Sequence, residues 1–186
     1  MTGIMMYVQH FDETMPRHFT LSGGYATPGG GAVTTHRYMP WQVAISPYVK
    51  NVQIFNCPSI SAAWSGMTID EDDVAPTNDW SGNPALANAS SYGFSSMCTG
   101  VSLAKFNFVA ECFVIGDKGT TSLWYIPSHG ANNGREYCAL DRHNEGMNCG
   151  FADGHAKWLK GSNIPIDDYD GADATTKTRF WDPDCE

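Results

Sequence analysis

The sequence predicts an α+β fold in which an N-terminal helix, or the stump of one, packs on a small antiparallel β-sheet with long loops pinned by disulfides. Three observations lead there. Residues 1–13 carry apolar side chains close to helical spacing, and three later stretches have the aromatic and β-branched content of short strands. Nineteen Gly, ten Pro and six Cys, with only 17% charged residues, favour turns and crosslinked loops over a helical bundle. At 186 residues a single domain, 1–186, is expected, because a chain of this size buries about two thirds of its unfolded surface around one core. The 42% hydrophobic content, with six Trp, eight Tyr and nine Phe, supplies that core and argues against disorder of the whole chain.

In residues 1–13 (MTGIMMYVQHFDE), Ile4, Met5, Tyr7, Val8 and Phe11 form the apolar stripe and Pro16 ends the helix. Residues 1–15 thus read as a short amphipathic helix on a sheet or as the last turns of a longer helix. Residues 22–33 (SGGYATPGGGAV) are a glycine-rich surface loop. Residues 39–48 (MPWQVAISPY) suit a short helix or turn with aromatics over the core, and 52–57 is strand-like. The run Asp70, Glu71, Asp72 and Asp73, followed by Pro76, Gly82 and Pro84, belongs in a long solvent-facing excursion. Residues 91–94 (SYGF), 109–116 (VAECFVIG) and 123–126 are the expected sheet strands. Residues 149–160 (CGFADGHAKWLK) read as a hairpin reversing at Asp153-Gly154. Residues 161–186 form an acidic C-terminal tail or loop.

The formal charge of −9, twenty acids against eleven bases, repels phosphate backbones, and nucleic acid is excluded as a partner. Cys57, Cys98, Cys112, Cys138, Cys149 and Cys185 form an even set without a C-x-x-C pair, which points to a disulfide framework and an oxidising compartment rather than a zinc ribbon. Their pairing stays open among fifteen arrangements, with Cys138 and Cys149 closing a short loop as one of them. No apolar run reaches the roughly 20 residues that span a bilayer, and residues 1–9 lack the positive flank and cleavage site of a secretory signal. Export therefore requires an element that the sequence shown does not contain.

The most specific feature is Arg142-His143 followed after nine residues by Asp153-Gly154-His155-Ala156-Lys157-Trp158, with Asn148 and Phe151 between them. This spacing resembles the C-terminal signature of the bacterial prepilin-type H-X(9)-DG family, whose members look like type II secretion pseudopilins and type IV pilins. Three further segments fall in the family's order. Residues 6–16 (MYVQHFDETMP) resemble the end of its N-terminal helix. Trp41, Tyr48-Val49-Lys50-Asn51 and residues 54–59 (IFNCPS) resemble its Trp, Pro-Tyr and Cys-Pro-Ser region, and residues 91–94 its Ser-Tyr-Gly segment. The resemblance runs from Met5 to Trp158, and the family's processed leader and long hydrophobic helix have no counterpart in the sequence shown. It implies a pilin-like head on the cell surface or outside the cell, and a structural role through self-assembly, with other pilins or the secretion machinery as further partners.

The motif's chemistry can be read without the family. An Asp before Gly bonds amides in its own turn, and an imidazole one short loop away can bond that carboxylate or a carbonyl, locking two segments together. The metal alternative uses His143, Asp153 and His155, with Asp141 beside them, since alternation puts Asp153 and His155 on one strand face. Calcium is the other ion weighed, because the resemblance to major pseudopilins implies a C-terminal calcium loop. Asp168, Asp170 and Asp173 offer an irregular oxygen cage, but Ile166 and Lys177 occupy the first and twelfth positions of an EF-hand, which excludes that loop.

No cofactor is required and no catalytic residue is assigned: there is no Gly-x-Ser-x-Gly elbow and no phosphate-binding glycine loop. The expected function is a structural subunit of an extracellular filament, not an enzyme. The rival readings are a secreted, calcium-dependent carbohydrate- or surface-binding module and, behind it, a metal-dependent hydrolase built on His143, Asp153 and His155. Asn88-Ala89-Ser90 is a sequon and a weak surface signal, since such triplets occur often by chance.

Overall fold

The computed structural model describes residues 1–17, 19–20, 39–60, 91–119, 125–126, 134–165 and 179–184. The glycine loop 22–33, the acidic run 70–73, the sequon 88–90, the candidate calcium ligands Asp168, Asp170 and Asp173, and Cys185 lie outside the described residues.

The first helix, α1, spans Thr2–His10 and buries Ile4, Tyr7 and Val8, an i, i+3, i+4 stripe. It ends where Phe11 donates its amide to the Tyr7 and Val8 carbonyls and Asp12 and Glu13 take left-handed backbone, φ 49° and 55°. The chain then runs along residues 101–103, with Met15 N donating to Val101 O (2.9 Å) and Leu103 N to Glu13 O (2.8 Å). Strands β1 (Phe19–Thr20) and β2 (Met39–Pro40) pair antiparallel, and β2 leads into the short helix α2 (Trp41–Ile45) and a 3-10 turn (Ser46–Tyr48). Tyr48 packs edge-on against Tyr7, its hydroxyl 2.8 Å from His10 Nδ1, which fixes this corner to α1.

The strand expected over 52–57 is a 3-10 helix, Val52–Phe55. The reason is local: the Asn51 side chain accepts the Gln53 amide at 2.9 Å, an Asx cap that competes with extended backbone.

The main sheet contains β3 (Tyr92–Ser95), β4 (Phe113–Asp117), β5 (Tyr125–Ile126), β6 (Gly146–Phe151) and β7 (Ala156–Lys160), in the order β5-β3-β4-β6-β7. Four strands are antiparallel as expected; β5 departs by pairing parallel to β3. A single α+β layer pair results. α1 and α2 cover one face, where Ile4, Val8, Trp41, Phe55, Phe94 and Val114 form the main core.

The other face carries a second core. Met147, Cys149 and Phe151 alternate along β6 and meet Phe180 and Trp181 from the 179–184 segment, with Trp181 fully buried. Its indole donates to Pro165 O at 3.0 Å, and Phe113 N donates to Phe180 O at 2.7 Å. Part of the expected acidic tail is therefore a core element, because two adjacent aromatics outweigh the carboxylates around them. A register shift in β4 between Phe113 and Ile115 lets the strand serve both cores: Phe113 joins the second, while Val114 and Ile115 face the first.

Two glycines set close approaches. A Cβ on Gly150 would meet Ile115 Cγ2 at 2.8 Å and the Met1 side chain, so the start of α1 rests on bare β6 backbone. A Cβ on Gly116 would lie 2.9 Å from Asn148 O. Among the described residues no helix is long and apolar enough to cross a membrane.

Candidate functional site

The H-X(9)-DG segment folds into two separate devices. In the first, the β6-β7 hairpin reverses through residues 152–155. Phe151 N donates to His155 O at 3.0 Å, Gly154 N donates to Phe151 O at 2.9 Å, and Gly154 takes φ 93°, which favours a residue without a side chain. Asp153 Oδ1 accepts the His155 amide at 3.0 Å and lies 2.5 Å from His155 Nδ1. Partial burial pushes the Asp153 carboxyl up, but the His155 amide, ring and charge push harder the other way, and the net position is below its ordinary 3.8. The His155 ring stacks on Phe151 at 4.4 Å and 3°.

The second device is centred on Asp117, the last residue of β4, which is completely buried. Its Oδ2 accepts the Asn148 amide (2.7 Å) and Asn148 Nδ2 (3.2 Å), while Oδ1 faces His143 Nε2 at 3.2 Å and Arg142 Nη1 at 3.6 Å. Arg142 also donates to the backbone carbonyls of Ser91 (3.1 Å) and Lys118. Burial, with the Arg142 charge second, pulls the Lys118 amine down to about 8. His143 comes from a tight turn in which Asn144 and Glu145 both take left-handed backbone and His143 N donates to Gly146 O. The half-exposed Trp158 closes over it, its indole donating to His143 O at 2.8 Å. Cys57, held by its amide on Ser91 Oγ at 2.8 Å, places its sulfur 3.5 Å from His143 Nε2.

His143 and the Asp153-Gly154 turn were expected to meet; they do not. The partner of His143 is Asp117, and Asp153 closes on His155 within its own turn. His143, Asp153 and His155 accordingly form no ligand cluster, and Asp141 joins none; the single such group among the described residues is Cys57, Asp117 and His143. Sequence reasoning named Cys57, Arg142 and His143 but missed Asp117 and the role of Arg142 beside it. The available signal was an acid and a base, Asp117-Lys118, ending an apolar strand, where a charge needs partners.

The five described cysteines are thiols in this structure. Cys98 and Cys112 stand with sulfurs 3.7 Å apart in the main core. Cys138 and Cys149 lie in the second core, where burial first and neighbouring negative charge second push both thiols up, that of Cys149 to about 12. Such thiols are poor nucleophiles at neutral pH.

Comparison with known proteins gives no match: no family profile, no curated protein and no solved structure matches this chain.

Proposed function

We propose that this chain is the head of a pilin-like subunit, a structural building block that assembles into an extracellular filament such as a pilus or pseudopilus. The observation that carries the reading is the use made of the H-X(9)-DG residues. His143, Asn148, Asp153, His155 and Trp158 all bond to the protein's own backbone or side chains, tying β4, β6 and β7 together. A signature whose residues chiefly tie strands to one another belongs to a scaffold more than to a substrate site.

The helix lying on a four-strand antiparallel core is compatible with a pilin-like head, as is the resemblance of four ordered segments. Exposed Met6, Ile54, Val109 and Trp158 are apolar side chains available for contacts between copies. Disulfides that pin the loops belong to the same proposal, with Cys98 and Cys112 as the pair supported by proximity.

Electron microscopy of the native protein, recovered from cell surface or culture supernatant without denaturation, tests this. Regular filaments labelled by an antibody to this head are the expected outcome. Dispersed monomers at high concentration, from material with a verified N-terminus, would overturn it.

A further inference from the structure

We propose that Cys57, Asp117 and His143 bind one zinc-class cation, a site distinct from both ions considered from sequence. The three residues come from separate parts of the chain: the end of the 52–55 turn, the end of β4 and the turn before β6. Their ligand atoms nevertheless lie within 4.8 Å of one another.

Hydrogen bonding through His143 Nε2 serves only one of its two neighbours well. In the ring plane His143 Nε2 carries either one proton or one lone pair. With a proton it has two acceptors to share it between, the Asp117 oxygen at 3.2 Å and the Cys57 sulfur at 3.5 Å. Without one it can accept from the thiol, but then turns a lone pair toward the carboxylate. A cation between the three atoms is attracted to each.

The distances fit that ion. Tetrahedral zinc, with bonds of about 2.3 Å to sulfur and about 2.0–2.1 Å to nitrogen or oxygen, has edges of roughly 3.6 Å between sulfur and nitrogen and roughly 3.3 Å between nitrogen and oxygen. The observed 3.5 Å and 3.2 Å match two of the three edges, and the third, between Cys57 and Asp117, lies within 4.8 Å. A sulfur, nitrogen and oxygen set selects zinc over calcium or magnesium, which take oxygen ligands.

The surroundings hold the ligands in place. Asn148 occupies Asp117 Oδ2 through two hydrogen bonds and leaves Oδ1 turned toward His143. Backbone bonds at His143 N and His143 O orient the imidazole, and Ser91 Oγ anchors the Cys57 amide. Arg142 opposes a cation, but the carbonyls of Ser91 and Lys118 engage its guanidinium, and zinc binding would displace the Cys57 proton to give a second anionic ligand. Three protein ligands and a water complete four-coordination.

The test is a Co²⁺ titration of the full reduced chain, followed by Zn²⁺ competition. The expected result is a thiolate-to-cobalt charge-transfer band saturating at one equivalent and bleached by zinc. Cys57→Ser should abolish the band, and His143→Gln should weaken binding by more than the roughly 10–100-fold cost of losing an outer-shell partner. X-ray absorption of the zinc-loaded wild-type chain should show one sulfur among lighter ligands, a readout that does not depend on either variant folding. Absence of the band, its persistence in Cys57→Ser, or a zinc shell of oxygen and nitrogen alone would overturn the site. The outcome is independent of whether heads assemble.

Discussion

His143 Nε2 sits 3.2 Å from Oδ1 of Asp117, a carboxylate with no solvent exposure that also receives the Asn148 main-chain amide. This pairing joins the turn before β6 to the end of β4, so the anchor of the signature histidine lies 26 residues upstream rather than at the Asp-Gly turn it precedes.

Removing that carboxylate takes the acceptor from the Asn148 amide and the anionic partner from Arg142 and His143. Asp117→Ala should cost about 3–5 kcal/mol, the usual penalty for breaking a buried ion pair from one side. Asp117→Asn keeps an oxygen for the Asn148 amide and should cost about 1–3 kcal/mol. Urea denaturation at neutral pH checks the order; equal losses would refute the role of the charge.

Gly116 faces Asn148 O across the β4-β6 pair, and a Cβ there would stand 2.9 Å from that carbonyl and 2.6 Å from Met147 Cε and Phe113 Cε2. The side chains can shift but the strand backbone cannot easily do so. Gly116→Ala should destabilise by about 1–3 kcal/mol through overpacking, measured as a lower denaturation midpoint with an unchanged slope.

The hairpin turn should loosen in acid. The Asp153 carboxyl titrates below its unfolded value of 3.8, so its stabilising contribution is present above 3.8 and is lost as pH falls through the depressed folded value. Amide exchange of His155 should accelerate on acidification beyond the intrinsic pH effect, and Asp153→Asn should remove the excess. A wild-type profile identical to that of the variant would contradict the assignment.

Oxidised glutathione should join Cys98 to Cys112 by exchange, the two thiols losing two protons and passing two electrons to the glutathione disulfide. The sulfurs must close from 3.7 Å to about 2.05 Å. The product should lose two hydrogens by intact mass, give a Cys98–Cys112 crosslinked peptide, and gain about 3 kcal/mol over the reduced form for a loop of this length. Crosslinks only between other cysteines would sink this pairing.

Ile54 is more than half exposed on the 3-10 turn. On the proposed filament role, Ile54→Glu should shorten or abolish filaments in negative stain while leaving the stability within about 0.5 kcal/mol of wild type. Unaltered filaments would remove this side chain from the contact surface.

Local pattern determined much of the framework. The i, i+3, i+4 stripe of Ile4, Tyr7 and Val8 marked α1, aromatic and β-branched content marked β3 and β4, alternation marked the hairpin, and Asp153-Gly154 fixed its reversal, because each depends on neighbours a few residues away. Only the tertiary structure decided the rest. The parallel pairing of β5, the insertion of Phe180 and Trp181 into a second core, and the meeting of Cys57, Asp117 and His143 depend on strand order and on the shift in β4. Those are long-range choices set by which surfaces bury best against each other, and no short window of sequence contains them. The motif showed that His143 mattered; the depth of Asp117 decided what it holds.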